Sequence, residues 1–96
     1  MSLVQHLALD DNLITGQGCI TFVNACKPRG EHMPLPRLEH VDFDGNEIGK
    51  TALTQLGAAL KEDGILPRLR ILEVDDEWVD LPALRGVCDQ RRITVR

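Results

Sequence analysis

The 96-residue sequence has no uninterrupted apolar run long enough to cross a membrane, which takes about 18 to 20 residues. It also has no excess of positive charge, because 11 lysines and arginines stand against 15 acidic residues and leave a net charge of −4. A nucleic-acid-binding domain needs a basic face. The two absences therefore argue against a membrane-spanning protein and against a nucleic-acid-binding protein.

Cysteine is scarce, with three residues in all, an odd number that cannot pair completely. The segment Met1–Leu9 lacks the basic start and the apolar core of a signal peptide, because polar residues interrupt it. We therefore expect reduced thiols and a cytoplasmic protein, with the nucleus as the alternative compartment. Cys19, Cys26 and Cys88 fall on apolar helical stripes, where a thiol behaves as a small core residue.

Catalytic motifs are missing as well. The sequence contains no G-x-S-x-G, no P-loop and no H-E-x-x-H, the motifs of serine hydrolases, nucleotide-binding proteins and zinc proteases. It also contains no C-x-x-C pair. We expect no enzymatic activity and no cofactor.

Two segments of the chain, Val4–Cys26 and Leu38–Leu60, align with each other at a constant offset that places Val4 on Leu38. The identical pairs are His6/His40, Asp10/Asp44, Asn12/Asn46, Ile14/Ile48 and Ala25/Ala59. A fixed period of this size indicates stacked repeat units.

Each unit begins with apolar residues two apart, which predicts a short strand with one buried face. A helical spacing of apolar residues follows, at Cys19–Cys26, Leu53–Leu60 and Leu84–Cys88. Arg91 interrupts the last stripe, which predicts a shorter third helix. We predict one domain over 1–96. Its units lie at about 4–37, 38–68 and 69–89, with a terminal strand at 90–96.

The segment Leu38–Ile48 reads L-x-x-L-x-L-x-x-N-x-I with apolar substitutions, and with its helical stripe it resembles the leucine-rich repeat family, ribonuclease-inhibitor-like type. The similarity covers essentially the whole chain, and Glu77 departs from it by standing where the pattern has Asn. The resemblance implies an α/β right-handed solenoid, a short horseshoe segment with parallel strands on the concave side and helices on the convex side. It also implies protein–protein interaction.

In such a fold, alternate residues of each strand point to the open concave face. The predicted partner-binding residues are His6, Asp10, His40, Asp42, Asp44, Glu73, Asp75 and Trp78. Asp10, Asp44 and Asp75 would stack in one column, where like charges repel and a partner's Lys or Arg relieves the repulsion. We expect this face to bind a basic segment of another protein. An ordinary solvated face, partly neutralised by Arg96 against Asp75, stays open as the alternative.

Metal binding is a weaker alternative at the same face. Calcium takes roughly six to eight oxygens from a folded loop, and carboxylates on adjacent strands of a gently curved sheet are not expected to converge. His6 and His40 are in register and could share a transition metal or act as a pH switch. No third ligand is indicated, because Ile71 occupies the matching place. We therefore predict no metal.

Trp78 is the only tryptophan, and tyrosine is absent. A single Trp is either a binding anchor or a cover over the end of the core. The apolar neighbours Val79 and Leu81 favour the cover.

The first strand has no predicted helix before it, which leaves an edge and an apolar side uncovered. Three explanations stay open, in this order of preference. The chain is a fragment of a longer repeat protein, it associates with itself through this N-terminal edge strand, or the strand tolerates exposure. The alternative function is accordingly a structural fragment of a larger leucine-rich-repeat protein with no independent binding partner.

Overall fold

The centre of the computed structural model, which describes residues 4–62 and 64–96, is a four-stranded sheet. The strands are β1 (His6–Ala8), β2 (His40–Asp42), β3 (Ile71–Glu73) and β4 (Thr94–Val95). They lie side by side in chain order and all pair in parallel. The helices are α1 (Gly16–Ala25), α2 (Lys50–Leu60) and α3 (Pro82–Arg91), with a 3₁₀ turn at Asp76–Trp78. The predicted α/β class with a parallel sheet is confirmed. Positions 1–3 and 63 of the predicted domain lie outside the described residues.

The register of the sheet brings distant segments side by side. His6 pairs with His40 across β1 and β2, in the same correspondence that aligns the two sequence segments. His40 in turn pairs with Ile71 across β2 and β3. Parallel strands need a crossover between them, and a helix supplies it in each of the three connections of the described chain.

The core lies between the sheet and the helices. On the strand side Val41 and Leu72 are each 1 % exposed, and on the helix side Leu53 and Leu84 are as deeply buried. The helices pack in sequence, α1 against α2 and α2 against α3. In the described part of the chain, none of the helices is long and apolar enough to cross a membrane.

The contact between α2 and α3 depends on Gly57. A Cβ atom at this position would collide with the backbone carbonyl of Ala83, at the start of α3. The missing side chain therefore sets how closely the two helices approach.

The prediction of a shorter third helix is wrong, because α3 has ten residues, as α1 does. Arg91 does stand at a half-buried position on the last turn. Its guanidinium donates hydrogen bonds to the carbonyls of Leu60, the last residue of α2, and of Leu66, in the connection that follows. The helix continues through Arg91 because this polar head satisfies backbone acceptors while its aliphatic stem packs.

Candidate functional site

The open face of the sheet carries the polar residues that the sequence predicts for partner binding. The register places His6 beside His40, and Ala8, Asp42 and Glu73 in the next row. Asp10, Asp44 and Asp75 follow two residues after their strands. Within this face the structure separates two groups of side chains with different electrostatics.

The first group, which we name the cross-strand network, consists of His6, His40, Glu73 and Arg96. The imidazole rings of His6 and His40 are stacked, with centroids 4.0 Å apart and an interplanar angle of 8°. His40 Nε2 lies 2.7 Å from Glu73 Oε2, and Arg96 Nε donates to Glu73 Oε1 at 3.3 Å. The network thus runs across all four strands of the described sheet.

Arg96 therefore contacts a different carboxylate from the one expected. In the alternative of a solvated face Arg96 was expected to neutralise Asp75, but Arg96 forms its ion pair with Glu73. Leu72 pairs with Val95, so the next residues along, Glu73 and Arg96, are the neighbours. Arg96 was also missing from the predicted site residues, although the terminal strand signal places it on the same face.

Glu73 has its partners within the protein. The hydrogen bond with His40 is the main cause that lowers the pKa of Glu73, and a hydrogen bond with Asp42 and electrostatic interactions with His40 and Arg96 act in the same direction. Desolvation opposes them. Both carboxylate oxygens of Glu73 are therefore already engaged within the protein, Oε2 by His40 and Oε1 by Arg96.

The second group, which we name the acidic cluster, consists of Asp10, Asp42 and Asp44. One carboxylate oxygen from each residue lies within 4.8 Å of those of the other two. A hydrogen bond with Asp42 is the largest cause that raises the pKa of Asp44 to about 6. Partial desolvation and the charges of Asp42, Asp10 and Asp75 raise it further. Between described residues, no salt bridge involves these three aspartates.

Of the three aspartates predicted to stack in one column, Asp10 and Asp44 do converge, together with Asp42, whereas Asp75 does not join them. Asp42 and Asp44 point to the same face because they are two positions apart, and the pairing of β1 with β2 brings Asp10 beside Asp44. Three partly or fully exposed carboxylates converge here with one oxygen each, fewer than the roughly six to eight ligand oxygens that calcium takes. The geometry is that of a concentrated negative patch.

Asp75 does not join the acidic cluster, because its carboxylate holds a turn. Its Oδ1 accepts a hydrogen bond of 2.8 Å from the backbone N–H of Gly45. Gly45 has φ +73, a conformation that glycine adopts at little cost. The predicted column of three aspartates is therefore present in order along the sheet, but one of its members has a structural partner.

Trp78 lies apart from both groups, in the 3₁₀ turn after β3. Its side chain is half-buried and packs against the hydrophobic core. This position matches the interpretation of Trp78 as a cover over the end of the core.

Asn46 forms hydrogen bonds to the backbone beside the acidic cluster. It is 8 % exposed, and its Nδ2 donates to the carbonyls of Leu9 at 2.7 Å and Phe43 at 2.9 Å. Its Oδ1 accepts from the N–H of Ile14 at 3.1 Å. The side chain thereby ties together the two chain turns from which Asp10 and Asp44 project.

The cysteines take no part in either group. Cys19, Cys26 and Cys88 are at most 2 % exposed and unpaired, as a core role predicts. Burial raises the pKa of each thiol to about 11, so all three stay protonated near neutral pH.

In comparisons with known proteins, no protein-family model, no curated protein and no solved structure matches the chain.

Proposed function

We propose that this protein is an interaction module that binds a basic segment of another protein through the acidic cluster. The observation that carries the proposal is the convergence of Asp10, Asp42 and Asp44 without a cationic partner among the described residues. Charges held this close repel one another, and that repulsion contributes to the raised pKa of Asp44. A Lys or Arg from a partner relieves it.

The form of the module that we propose is a short leucine-rich-repeat solenoid. Its support is the sequence pattern together with the in-order parallel sheet, in which successive units contribute adjacent strands. Such a sheet presents one row of side chains per unit, and an extended peptide crossing the strands would meet the acidic cluster on one side. The cross-strand network would lie beside it as a rigid, internally neutralised border.

The same face argues for binding without catalysis. The acidic cluster consists of carboxylates alone, and the sequence contains no G-x-S-x-G, P-loop or H-E-x-x-H motif. We therefore propose that the protein has no enzymatic activity of its own.

The test is fluorescence anisotropy with a panel of labelled peptides, rich in Lys and Arg, rich in Glu, or neutral. We expect the basic peptides alone to bind, and to bind more weakly as ionic strength rises from about 20 to about 300 mM. In the triple variant Asp10→Asn, Asp42→Asn and Asp44→Asn, affinity should fall about tenfold or more because each lost charge removes one contact to the peptide.

The matched control removes three exposed acidic charges elsewhere, with Glu31→Gln, Asp80→Asn and Asp89→Asn. It has the same net charge as the cluster variant and should bind within about twofold of the unmodified protein, since distant charges are screened. Equal losses in both variants would reduce the effect to net charge and contradict the proposed site. Absence of any binding at low ionic strength would reject the proposed function.

A further inference from the structure

The first unit of the chain, residues 4–37, is the least covered part of the described structure. Leu7 and Leu9 are only half-buried, whereas Val41 and Phe43 at the corresponding positions of the second unit are 1 % and 3 % exposed. The most exposed large apolar side chains are also in this unit, namely Val4, Leu13 and Met33. The apolar side of the sheet is therefore open at β1.

The opposite edge of the sheet is closed and charged. Val95 in β4 is only 8 % exposed, and the surface beside it carries Arg85, Asp89 and Arg92. Charged side chains of this kind discourage a further strand from adding to an edge. An added strand is accordingly expected at β1.

The backbone of β1 is oriented to accept such a strand. Leu9 N–H donates to Asp42, and the carbonyl of Gln5 accepts from His40, so the odd-numbered residues face β2. Backbone groups alternate in direction along a strand, so those of His6 and Ala8 point away from the sheet. In the described sheet, β2 is the one strand that pairs with β1.

We infer that a second copy of this chain pairs with β1 in antiparallel orientation, centred on Ala8. In this register, His6 of each copy stands opposite Asp10 of the other, and the small Ala8 side chains meet at the two-fold axis. The axis is perpendicular to the sheet, so the helices of both copies lie on the same side. There Leu7 of one copy faces Leu9 of the other, and both become covered.

A second copy is proposed as the occupant because the segment of residues 6–10 is complementary to itself when two copies pair in antiparallel orientation. An antiparallel self-pairing centred on Ala8 places the imidazole of His6 opposite the carboxylate of Asp10 at both ends, where a ring N–H can donate a hydrogen bond to a carboxylate oxygen across the strands. A head-to-tail arrangement would instead bring Arg85, Asp89 and Arg92 against the half-buried leucines. The dimer goes beyond the proposed function, because it forms through the backbone edge of β1. Asp10 belongs to both this contact and the acidic cluster, so the Ala8 variants are the ones that test the dimer alone.

The first experiment measures molar mass by sedimentation equilibrium from about 10 to about 500 µM. The unmodified protein should approach twice its chain mass as concentration rises. Ala8→Lys places two ammonium groups opposite each other at the axis and should weaken dimerisation about tenfold or more. The matched control is Thr94→Lys, an exposed position on the same face at the β4 edge, which should leave dimerisation unchanged.

The second experiment tests the register. Under mild oxidation with diamide, Ala8→Cys should form a disulfide-linked dimer, because directly opposed residues of such a pair lie about 5.5 Å apart between Cα atoms. The native thiols are buried and remain protonated, so they should not contribute. Thr94→Cys is the control and should stay uncrosslinked. His6→Asp should weaken the dimer, and adding Asp10→Lys should restore it by reversing the charge pair.

Circular dichroism establishes that each variant is folded, and the Ala8→Cys crosslink decides the matter if Ala8→Lys unfolds. A protein that remains monomeric at the highest concentration overturns the inference and leaves β1 for another occupant. A dimer that crosslinks only when the Ala8→Cys and Thr94→Cys variants are mixed is head-to-tail and also overturns it. Equal weakening of dimerisation by Ala8→Lys and Thr94→Lys would also overturn the inference.

Discussion

Asn46 shows, at the scale of one residue, how a buried amide connects two distant segments of the chain. Its hydrogen bonds satisfy two carbonyls and one N–H where the chain leaves β1 and β2. Asn12 occupies the equivalent place one unit earlier but is exposed, and its side-chain amide donates to the carbonyls of Leu9 and Asp10. We therefore expect the asparagine side chain to contribute more to stability at position 46 than at position 12.

We expect Asn46→Ala to lower the free energy of unfolding by roughly 2 to 3 kcal/mol, because it leaves buried backbone groups without partners. Asn12→Ala should cost less than about 1 kcal/mol, since water replaces the lost bonds at an exposed site. Urea denaturation of both variants measures the difference. Equal losses of unfolding free energy in the two variants would contradict the prediction that the Asn46 side chain satisfies buried backbone groups.

Asp44 makes the stability of the protein depend on pH. Its pKa of about 6 in the folded protein lies above the ordinary value of 3.8. The folded state therefore binds this proton more tightly than the unfolded state does. The resulting stabilisation is complete below about pH 4 and is lost as the pH rises through 6.

We expect Asp44→Asn to match the unmodified protein in stability near pH 4 and to exceed it at pH 7, because the amide is uncharged and can still donate to Asp42. The gain in Tm at pH 7 should be about 1–4 °C. It is small because Asp44 is exposed and the solvent weakens the repulsion that the substitution removes. Thermal unfolding followed across pH 4 to 7 checks this, with the exposed Asp80→Asn as control. A constant difference at every pH would contradict the prediction.

At the scale of the elements, the packing of α2 against α3 depends on a glycine at their contact. Gly57 in α2 lies against the backbone of Ala83, whereas Gly86 in α3 has open space where a Cβ would be. Both glycines cost helix stability relative to alanine. They differ in what surrounds them, so they form a matched pair.

We expect Gly57→Ala to destabilise the protein by roughly 1 to 3 kcal/mol, because the methyl group must push α2 and α3 apart. Gly86→Ala should stabilise it by up to about 1 kcal/mol through helix propensity alone. Chemical denaturation of the two variants gives both values. Stabilisation by Gly57→Ala would mean that the helices are free to separate.

At the scale of the whole molecule, burial is uneven from one end of the sheet to the other. β2 and β3 contribute core residues that are almost fully buried, whereas the apolar residues of β1 are half-exposed. The four-stranded sheet has two edges, and of these the edge at β4 is the one protected by charged neighbours. This asymmetry distinguishes the edge pairing inferred above from a contact on the open face. The Ala8 variants test the edge pairing alone, whereas the triple aspartate variant tests the open face.

Local spacing in the sequence was enough to predict the strands and the presence of the three helices, whereas the parallel sheet was implied by the resemblance to leucine-rich repeats. Alternation and helical periods report which side of an element is apolar, and the constant offset between the aligned segments reports which strands are neighbours. The same patterns predicted the buried cysteines. A periodic pattern describes one chain segment at a time, so it could not say which side chains of different segments bond to each other.

Those pairings were decided by the tertiary structure. Rotamers and strand ends placed Arg96 on Glu73 rather than Asp75, stacked His6 on His40, and engaged Asp75 with the N–H of Gly45. The acidic cluster consists of the aspartates that have no such partner among the described residues. They keep their charge because one charge neutralises another only within a few ångströms. The sequence by itself thus determined the order of the elements and the polarity of the face, whereas only the folded chain determined which of its charges stay unpaired.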